Sequence, residues 1–318
     1  MAVTLAQAAL LSENDLQRGV LETFVQESAV LDRIPFLSIQ GNAYAYNQEA
    51  TLPGVAFRSV NEAYTESTGT VNQATESLVI LGGDADVDRF IQQTRSNLND
   101  QRATQTRLKV KAMSYKFQDT FINGDVTVDT KSFDGLKKRL TGAQVIDAAT
   151  NGAPVLGNGG TETHAFFDML DALLAAVPGA TASNSAFYMN NLIRSKIISA
   201  GRRIGGVEMV REDITRKRVA QWGGIPMLDL GDNLAGNRII PQTETQGSSS
   251  VASSIYLVRF GEDETDQGVT GLTNGGVMVD DLGMLQEKPA YRTRVELYGG
   301  MAVFGGKAAA RLRGVLNS

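Results

Sequence analysis

The strongest constraint in this chain is a helix that carries only half a stripe. Residues 97–125 read NLNDQRATQTRLKVKAMSYKFQDTFINGD, rich in Leu, Gln, Arg, Lys, Ala and Met, with no Pro and no Gly before Gly124. A helix in a compact domain repeats its apolar side chains at intervals of three and four along its length. Here Val110, Met113, Phe117 and Phe121 supply that repeat for the second half alone; from Asn99 to Arg107 the only apolar residue is Ala103. Asn123-Gly124 closes the helix as a C-terminal pair. Half of this rod has no core of its own to enter.

The segment ahead of it has a related problem. Residues 36–92 carry β-branched and aromatic residues in short alternating runs such as Ala43-Tyr44-Ala45-Tyr46, separated by stretches rich in Thr, Ser, Gly and Asn. The pattern predicts a long two-stranded excursion with a polar tip near Glu66–Gln73. An isolated hairpin of that length is marginal in water, so it needs a surface to lie on.

The totals narrow the class. A chain of 318 residues has length for about two domains, and 42% apolar residues with 33 glycines suits an ordered protein rich in turns and extended segments. No run of about 18 apolar residues is present, so no transmembrane helix is expected. The N-terminal MAVTLAQAALLSEND lacks basic residues ahead of its apolar patch, unlike a secretory signal. Without cysteine, disulfides and thiolate metal sites are excluded, and nothing marks the chain for an oxidising compartment. Charge is unevenly placed. Residues 1–90 hold four Arg, no Lys and twelve Asp/Glu, a net of −8 against a total of −5, which leaves +3 on the rest. Front and body could meet across a subunit contact, or the charge could simply be solvated; the sequence leaves both open.

Along the rest of the chain, Ser12-Glu13-Asn14-Asp15 predicts a helix start. Leu16, Val20 and Phe24, flanked by Leu21 and Val25, make it amphipathic, and it ends before Ile34-Pro35. Phe133, Leu136 and Leu140 predict a helical turn in SFDGLKKRL, followed by a Gly/Asn-rich loop from Asn151 to Gly160. Thr161 caps a helix striped by Phe166, Met169 or Leu170, Leu173 and Val177, and stopped by Pro178-Gly179. Another helix is predicted from Ser183 to Ile204, with Leu192, Ile193 and Ile197 inward and Arg194, Lys196, Arg202 and Arg203 outward. From Gly205 to Ala290 short strands alternate with turns, with a Ser-rich break at 247–254. In YRTRVELYGGMAVFGG, Tyr291, Thr293, Val295 and Leu297 alternate with Arg292, Arg294 and Glu296, the pattern of a half-buried strand.

A search for chemistry comes up empty. The single histidine, His164, near a helix start, reads as a packing or solvent-facing residue. Gly83-Asp84-Ala85-Asp86-Val87-Asp88 resembles the opening of a calcium loop. Its sixth position, however, is Arg89 where Gly is required, and its twelfth is Arg95 where a bidentate Glu belongs, so it reads as a strand-to-helix turn. Val155-Leu156-Gly157-Asn158-Gly159-Gly160 lacks the strand–loop–helix context and the Lys of a phosphate cradle. There is no Gly-x-Ser-x-Gly elbow. Asp280-Asp281 reads as solvated acids in a Gly-rich surface loop. Basic residues cluster at Arg202-Arg203, Arg211, Arg216-Lys217-Arg218, and Lys307, Arg311 and Arg313. They suit nucleic-acid phosphates or intersubunit pairing, and no interleaved aromatics favour sequence-specific binding.

The order of segments resembles one family, the major capsid proteins of tailed bacteriophages with the Hong Kong 97-like fold. ESAVLDRIPFLSIQG is similar to that family's N-terminal arm entering its extended loop, and PGVAFRSVNEAYTES to the outgoing strand of that E-loop. The half-polar helix ending FINGD, followed by SFDGL, resembles the spine helix and the entry to the peripheral domain. THAFFDMLDALLAAV and NSAFYMNNLIRSKIISAG are similar to the paired helices of that domain. WGGIPMLDLGDN resembles the strand entering the axial domain, and RTRVELYGGMAVFGGKAAARLRGV the closing strands.

The resemblance implies an α+β, Hong Kong 97-like capsid fold divided into five parts. These are an N-terminal arm (1–38), an extended E-loop hairpin (39–92), a long spine helix with the peripheral domain (93–204), an axial domain (205–290) and closing strands (291–318). It implies a structural protein, not an enzyme, with no cofactor and no metal. Such a protein assembles as hexamers and pentamers into the icosahedral head around double-stranded DNA, in the cytoplasm of a bacterial host. Its partners would be a portal protein and separate scaffold and decoration proteins, with no membrane. A neighbour's E-loop would drape over the polar half of the spine helix. Tyr44, Tyr46, Arg58, Glu62, Tyr64, Glu66, Asp100, Arg102 and Arg107 are then expected at subunit contacts, and Arg202, Arg203, Arg216, Lys217 and Arg218 toward the lumen and its DNA. Some family members weld their shells through an E-loop lysine; this chain has no lysine before Lys109, so a non-crosslinked shell is expected. The arm begins almost at Met1, so no fused scaffolding segment is expected. An encapsulin-type nanocompartment shell is the near alternative, and an enzyme with an acidic surface site the distant one.

Overall fold

The structure, a computed structural model, describes residues 3–4, 28–95, 101–157, 161–204, 210–212 and 218–317. Five strands come first: β1 (Val3–Thr4), β2 (Pro35–Ser38), β3 (Ala43–Thr51), β4 (Thr70–Ser77) and β5 (Val79–Asp88). Helices α1 (Arg89–Arg95), α2 (Gln101–Asn123) and the single turn α3 (Leu136–Arg139) follow. Then come β6 (Val145–Asp147), β7 (Ala153–Pro154), α4 (Thr161–Ala176), β8 (Ser185–Met189) and α5 (Asn191–Ile204). The remainder is strand: β9 (Val210–Glu212), β10 (Arg218–Trp222), β11 (Ile225–Asp229), β12 (Glu244–Gln246), β13 (Ser249–Arg259), β14 (Val269–Met284), β15 (Ala290–Val303) and β16 (Ala309–Leu316).

Three sheets form. One runs β1-β2-β14-β15-β5, with β5 antiparallel to β15 along its whole length. The second runs β6-β16-β13-β8-β11-β10-β9, with β12 on β13 and β7 on β16. The third is the hairpin β3–β4 by itself. The helix expected over 97–125 is α2, and its stripe of Val110, Met113, Phe117 and Phe121 is buried as predicted. Phe117 lies between Phe36 and Phe133, and Phe121 meets Tyr188 edge-on. Gly124 follows the helix end, where the chain passes so close to Thr120 O and Phe133 O that a Cβ would strike them. Phe133, Leu136 and Leu140 are all buried, fixing α3 beneath that end.

The central strand β8 corrects the helix expected from Ser183. Ala186 and Tyr188 point into the core shared with α2, while Phe187 and Met189 point into the core under α4 and α5. A strand buried on both faces is apolar without a break, and such a run cannot be told from a buried helix by periodicity. The helix begins only at Asn191, whose predecessor Asn190 accepts from Leu192 N. Ile193 and Ile197 are inward as expected, but Leu192 is half exposed. The Ser-rich break shrinks to a turn at Gly247 and Ser248, since Ser253 and Ser254 are buried in β13.

The sheets also cut across the expected division of the chain. Helices α4 and α5, placed before the 204/205 boundary, share one core with β10, β11, β13 and β16 beyond it. Strand β14, placed with residues 205–290, instead pairs with β15 and lies in the same sheet as β5. The helix predicted from Ser12 falls on residues outside those described.

Candidate intersubunit surface

The hairpin is two structures end to end. At its base, Tyr46 on β3 is 3% exposed and meets Phe304 edge-on at 5.0 Å, and its hydroxyl donates to Val303 O at 3.2 Å. Burial first, and then the nearby Glu76 carboxylate, push the Tyr46 phenol up to about 12. Tyr44 stacks beside it and donates to Glu264 Oε1 at 2.8 Å. On β4, Glu76 takes the Arg139 guanidinium with both oxygens, Oε2 at 2.6 Å from Nη2.

Past the strands, residues 52–69 carry no ladder, and every one of them is exposed. The expected polar tip at 66–73 is therefore displaced: residues 70–73 are in β4, and the true tip is partly apolar. Val55, Phe57 and Val60 are 94%, 108% and 90% exposed. Yet the tip holds a shape. Glu62 accepts from Ser59 N at 2.9 Å, Ser67 Oγ accepts from Gly54 N at 2.7 Å, and the Arg58 guanidinium sits 5.2 Å over the Tyr64 ring. Apolar side chains left wholly in water at the end of a stiff arm mark a contact surface.

The sequence model of the family "Major capsid protein GP7" matches residues 12–166. No curated protein matches the chain. Among solved structures, the chain is similar to the capsid of a native GTA particle, with TM-score 0.62, 15% identity, and 92% of this chain and 90% of that one covered. The cyanophage A-1(L) capsid gives TM-score 0.59 at 12% identity, covering 88% and 90%. The chain has the Hong Kong 97-like fold. The SrpI encapsulin of Synechococcus elongatus PCC 7942 has the same fold, with TM-score 0.65 at 20% identity, covering 91% and 88%.

On this fold the expected contact residues divide. Arg58, Glu62, Tyr64 and Glu66 are exposed on the tip. Tyr46 is spent within the chain, because alternation turns its ring onto Phe304; Tyr44 is half-buried beside it. Arg102 also turns inward, donating to Asp281 Oδ1 at 2.6 Å with its guanidinium 5.2 Å over the Tyr291 ring. The polar half of α2 is thus not bare: it rides on its own β14–β15 through polar contacts. Arg107 and Leu108 remain exposed on α2, as do Arg89, Phe90 and Ile91 on α1. Asp100, Arg216 and Lys217 lie outside the described residues. Arg202 and Arg203 are exposed at the end of α5, and Arg218 begins β10.

Sequence reasoning missed a charge ladder. Gly83–Asp88 is not a turn but the second half of β5, so Asp84 and Asp86 share a face two residues apart. Arg294 Nε donates to Asp84 Oδ1 at 2.8 Å, and Arg292 Nε to Asp86 Oδ1 at 2.7 Å, with Lys288 adding a second cation to Asp86. The hydrogen bond from Arg294 holds the Asp84 carboxyl below its usual value, and those from Arg292 and Lys288 hold Asp86 well below. The alternation D-x-D against R-x-R was the available signal. Likewise Asp280-Asp281 lies in β14 and not in a loop. Acids of the front segment thus meet cations of the body inside one chain, at Glu76–Arg139 and at this ladder. Among the described residues no group of three or more His, Asp or Glu forms a metal site, and His164 is exposed on α4.

Proposed function

We propose that this capsid protein closes a non-crosslinked shell by seating each hairpin tip, residues 52–69, on α1 and the N-terminal half of α2 of a neighbouring copy. The observation that carries it is the tip itself: a pre-shaped head with Val55, Phe57 and Val60 fully in water. The exposed Phe90, Ile91 and Leu108 offer an apolar seat, and Arg89 and Arg107 offer charge to Glu62 and Glu66. Copies arranged as hexamers and pentamers repeat this contact around the shell, so modest areas sum over symmetry-related neighbours. The shell encloses double-stranded DNA in the head of a phage assembled in the host cytoplasm. Portal, scaffold and decoration proteins are its partners, and it performs no catalysis. With no lysine before Lys109, the hairpin cannot supply an isopeptide amine. Arg202, Arg203, Arg216, Lys217 and Arg218 are the candidate DNA contacts: Arg216→Glu with Arg218→Glu should shorten the packaged DNA without blocking capsomers, and an unchanged length overturns that assignment. The arm (1–38) and the E-loop (39–92) remain proposed divisions, the free hairpin of the latter ending at Leu78, and the peripheral and axial parts are grouped by the two large sheets.

The test is the full-length chain expressed alone and viewed by negative stain. Closed shells or capsomer rings are expected, running as monomer on a denaturing gel. A monodisperse small species at high concentration overturns the assembly reading, and a covalent ladder overturns the uncrosslinked one. A second reading, a nanocompartment shell with protein cargo, draws on the likeness to SrpI encapsulin. Particles that contain a cargo protein and no nucleic acid would favour it.

A further inference from the structure

The hairpin belongs to neither large sheet, and its grip on the body is confined to the first rungs. On one side the chain enters through Gly41, at φ +96° with open space around it. On the other it leaves through Leu78, the single residue between pairing with β3 and pairing with β15. From Tyr46 to Thr51 the arm extends about 17 Å at strand rise, so a tilt of about 10° at the base moves its end by about 3 Å. A tip that docks needs its angle fixed at the base. The ring contact of Tyr46 with Phe304 can slide; a forked guanidinium on a carboxylate cannot, because both bonds depend on one plane. That fork is Arg139 on Glu76.

Arg139 is also the last of three consecutive cations on α3, each tied to a different element. Lys137 Nζ is 3.7 Å from Glu244 Oε1 on β12. Lys138 Nζ is 2.6 Å from Asp125 Oδ1 and 2.9 Å from Asp134 Oδ1, in the turn that follows α2. Arg139 reaches Glu76 and donates from Nε to Asp134 O at 2.7 Å. One helical turn therefore touches the second sheet, the end of α2 and the hairpin. We propose that α3 is a latch that sets the hairpin's angle to the body, with Arg139 as its positioning residue. A shift of the second sheet or of the end of α2 moves α3 and is passed to the tip through Arg139. The latch's role in assembly rests on the docking reading above; its effect on the angle does not.

The chain has no cysteine, so Thr68→Cys on the tip and Leu234→Cys on the body give two unique spin-label sites. The tip–body distance distribution, read by pulsed dipolar spectroscopy on the full chain before assembly, is expected to be narrow. Arg139→Met should roughly double its width, and Arg139→Lys, which keeps the charge but loses the fork, should fall between. An unchanged width in Arg139→Met, with the fold retained, overturns the latch. If Arg139→Met does not fold, Glu76→Gln decides in the same way: broadening supports the latch, and an unchanged width overturns it. Phe57→Asp should leave the width alone and act only on shells. Broadening in Arg139→Met together with normal shells in Phe57→Asp keeps the latch and removes the docking reading; an unchanged width in Arg139→Met together with lost shells in Phe57→Asp overturns the latch and keeps the docking reading.

Discussion

The two ends of the hairpin share one ladder and have opposite relations to water. At the base, Tyr46 is buried, hydrogen-bonded and flanked by a clamped ion pair; at the tip, Phe57 is wholly exposed. The chain completes itself as far as Tyr46 and stops. What lies beyond is shaped but unpartnered, which is the condition of a surface meant for another copy. The sharpest way to break this contrast is Phe57→Asp. Closed shells should be lost altogether, because one charge in a repeated apolar contact is imposed on every neighbour at once. Unfolding of the isolated chain should shift by no more than about 0.5 kcal/mol, as for any exposed substitution. Normal shells by negative stain would show that the tip's apolar residues serve no contact.

The same contrast runs along α2. Phe117→Ala, in the half that enters the core, should cost about 3–5 kcal/mol. Leu108→Ala, in the other half, should stay within about 0.5 kcal/mol in the isolated chain. Denaturant unfolding of the two variants gives the comparison directly; equal losses would mean that both halves are core.

How much of this the sequence discloses follows the same line. The stripe of α2, the hairpin, α3, α4 and the alternation of β15 were legible because each has one wet face and one dry face. β8 was not, because Tyr188 and Phe187 serve two cores and leave no period to read. The composition reads as polar from Glu66 to Gln73, and the resemblance assigns PGVAFRSVNEAYTES to a strand, whereas residues 52–69 carry no ladder. The ladder was hidden for a different reason. Asp84 and Asp86 are more than two hundred residues from Arg294 and Arg292. Only register puts them opposite each other, and register is not a local property. Tyr44 and Tyr46 show the cost of that: their alternation was legible, but not the Phe304 that one face would meet.

That ladder sets a pH window. The folded pKa values of Asp84 and Asp86 lie below their unfolded ones, so their stabilising effect is complete above about pH 4 and fades only as pH falls through the lower folded values. Amides of β5 and β15 should keep their hydrogen-exchange protection at pH 4 and lose it below. Loss of protection well above pH 4 would mean that the guanidinium groups do not hold these carboxylates. At the hairpin base, Tyr46→Phe keeps the ring on Phe304 and removes the hydroxyl's bond to Val303 O and its longer one, at 3.5 Å, to Glu76 Oε1. About 1 kcal/mol should be lost in urea unfolding, with shells still forming. Loss of shells from so small a change would move the contact surface from the tip to the base.

The smallest expected effect concerns the N-terminal half of α2, which has no apolar stripe and keeps one polar face on its own sheet while the other is exposed. Thr106 is buried there, and Arg102 reaches Asp281 and Thr293 Oγ1. The Arg102 and Asp281 side chains are 26% and 50% exposed, so solvent screens the pair and its worth is small. Arg102→Met should keep the packing over Tyr291 and cost no more than about 0.5 kcal/mol in global unfolding. Its visible effect should be local: faster amide exchange across the first two turns of α2, with the turns around Phe117 unchanged. Such a helix is held firmly at one end and lightly at the other, and the light end remains free to adjust to whatever a neighbour lays on it. Uniform protection along α2 in Arg102→Met would show that its backbone ladder, and not this clamp, fixes the polar half in place.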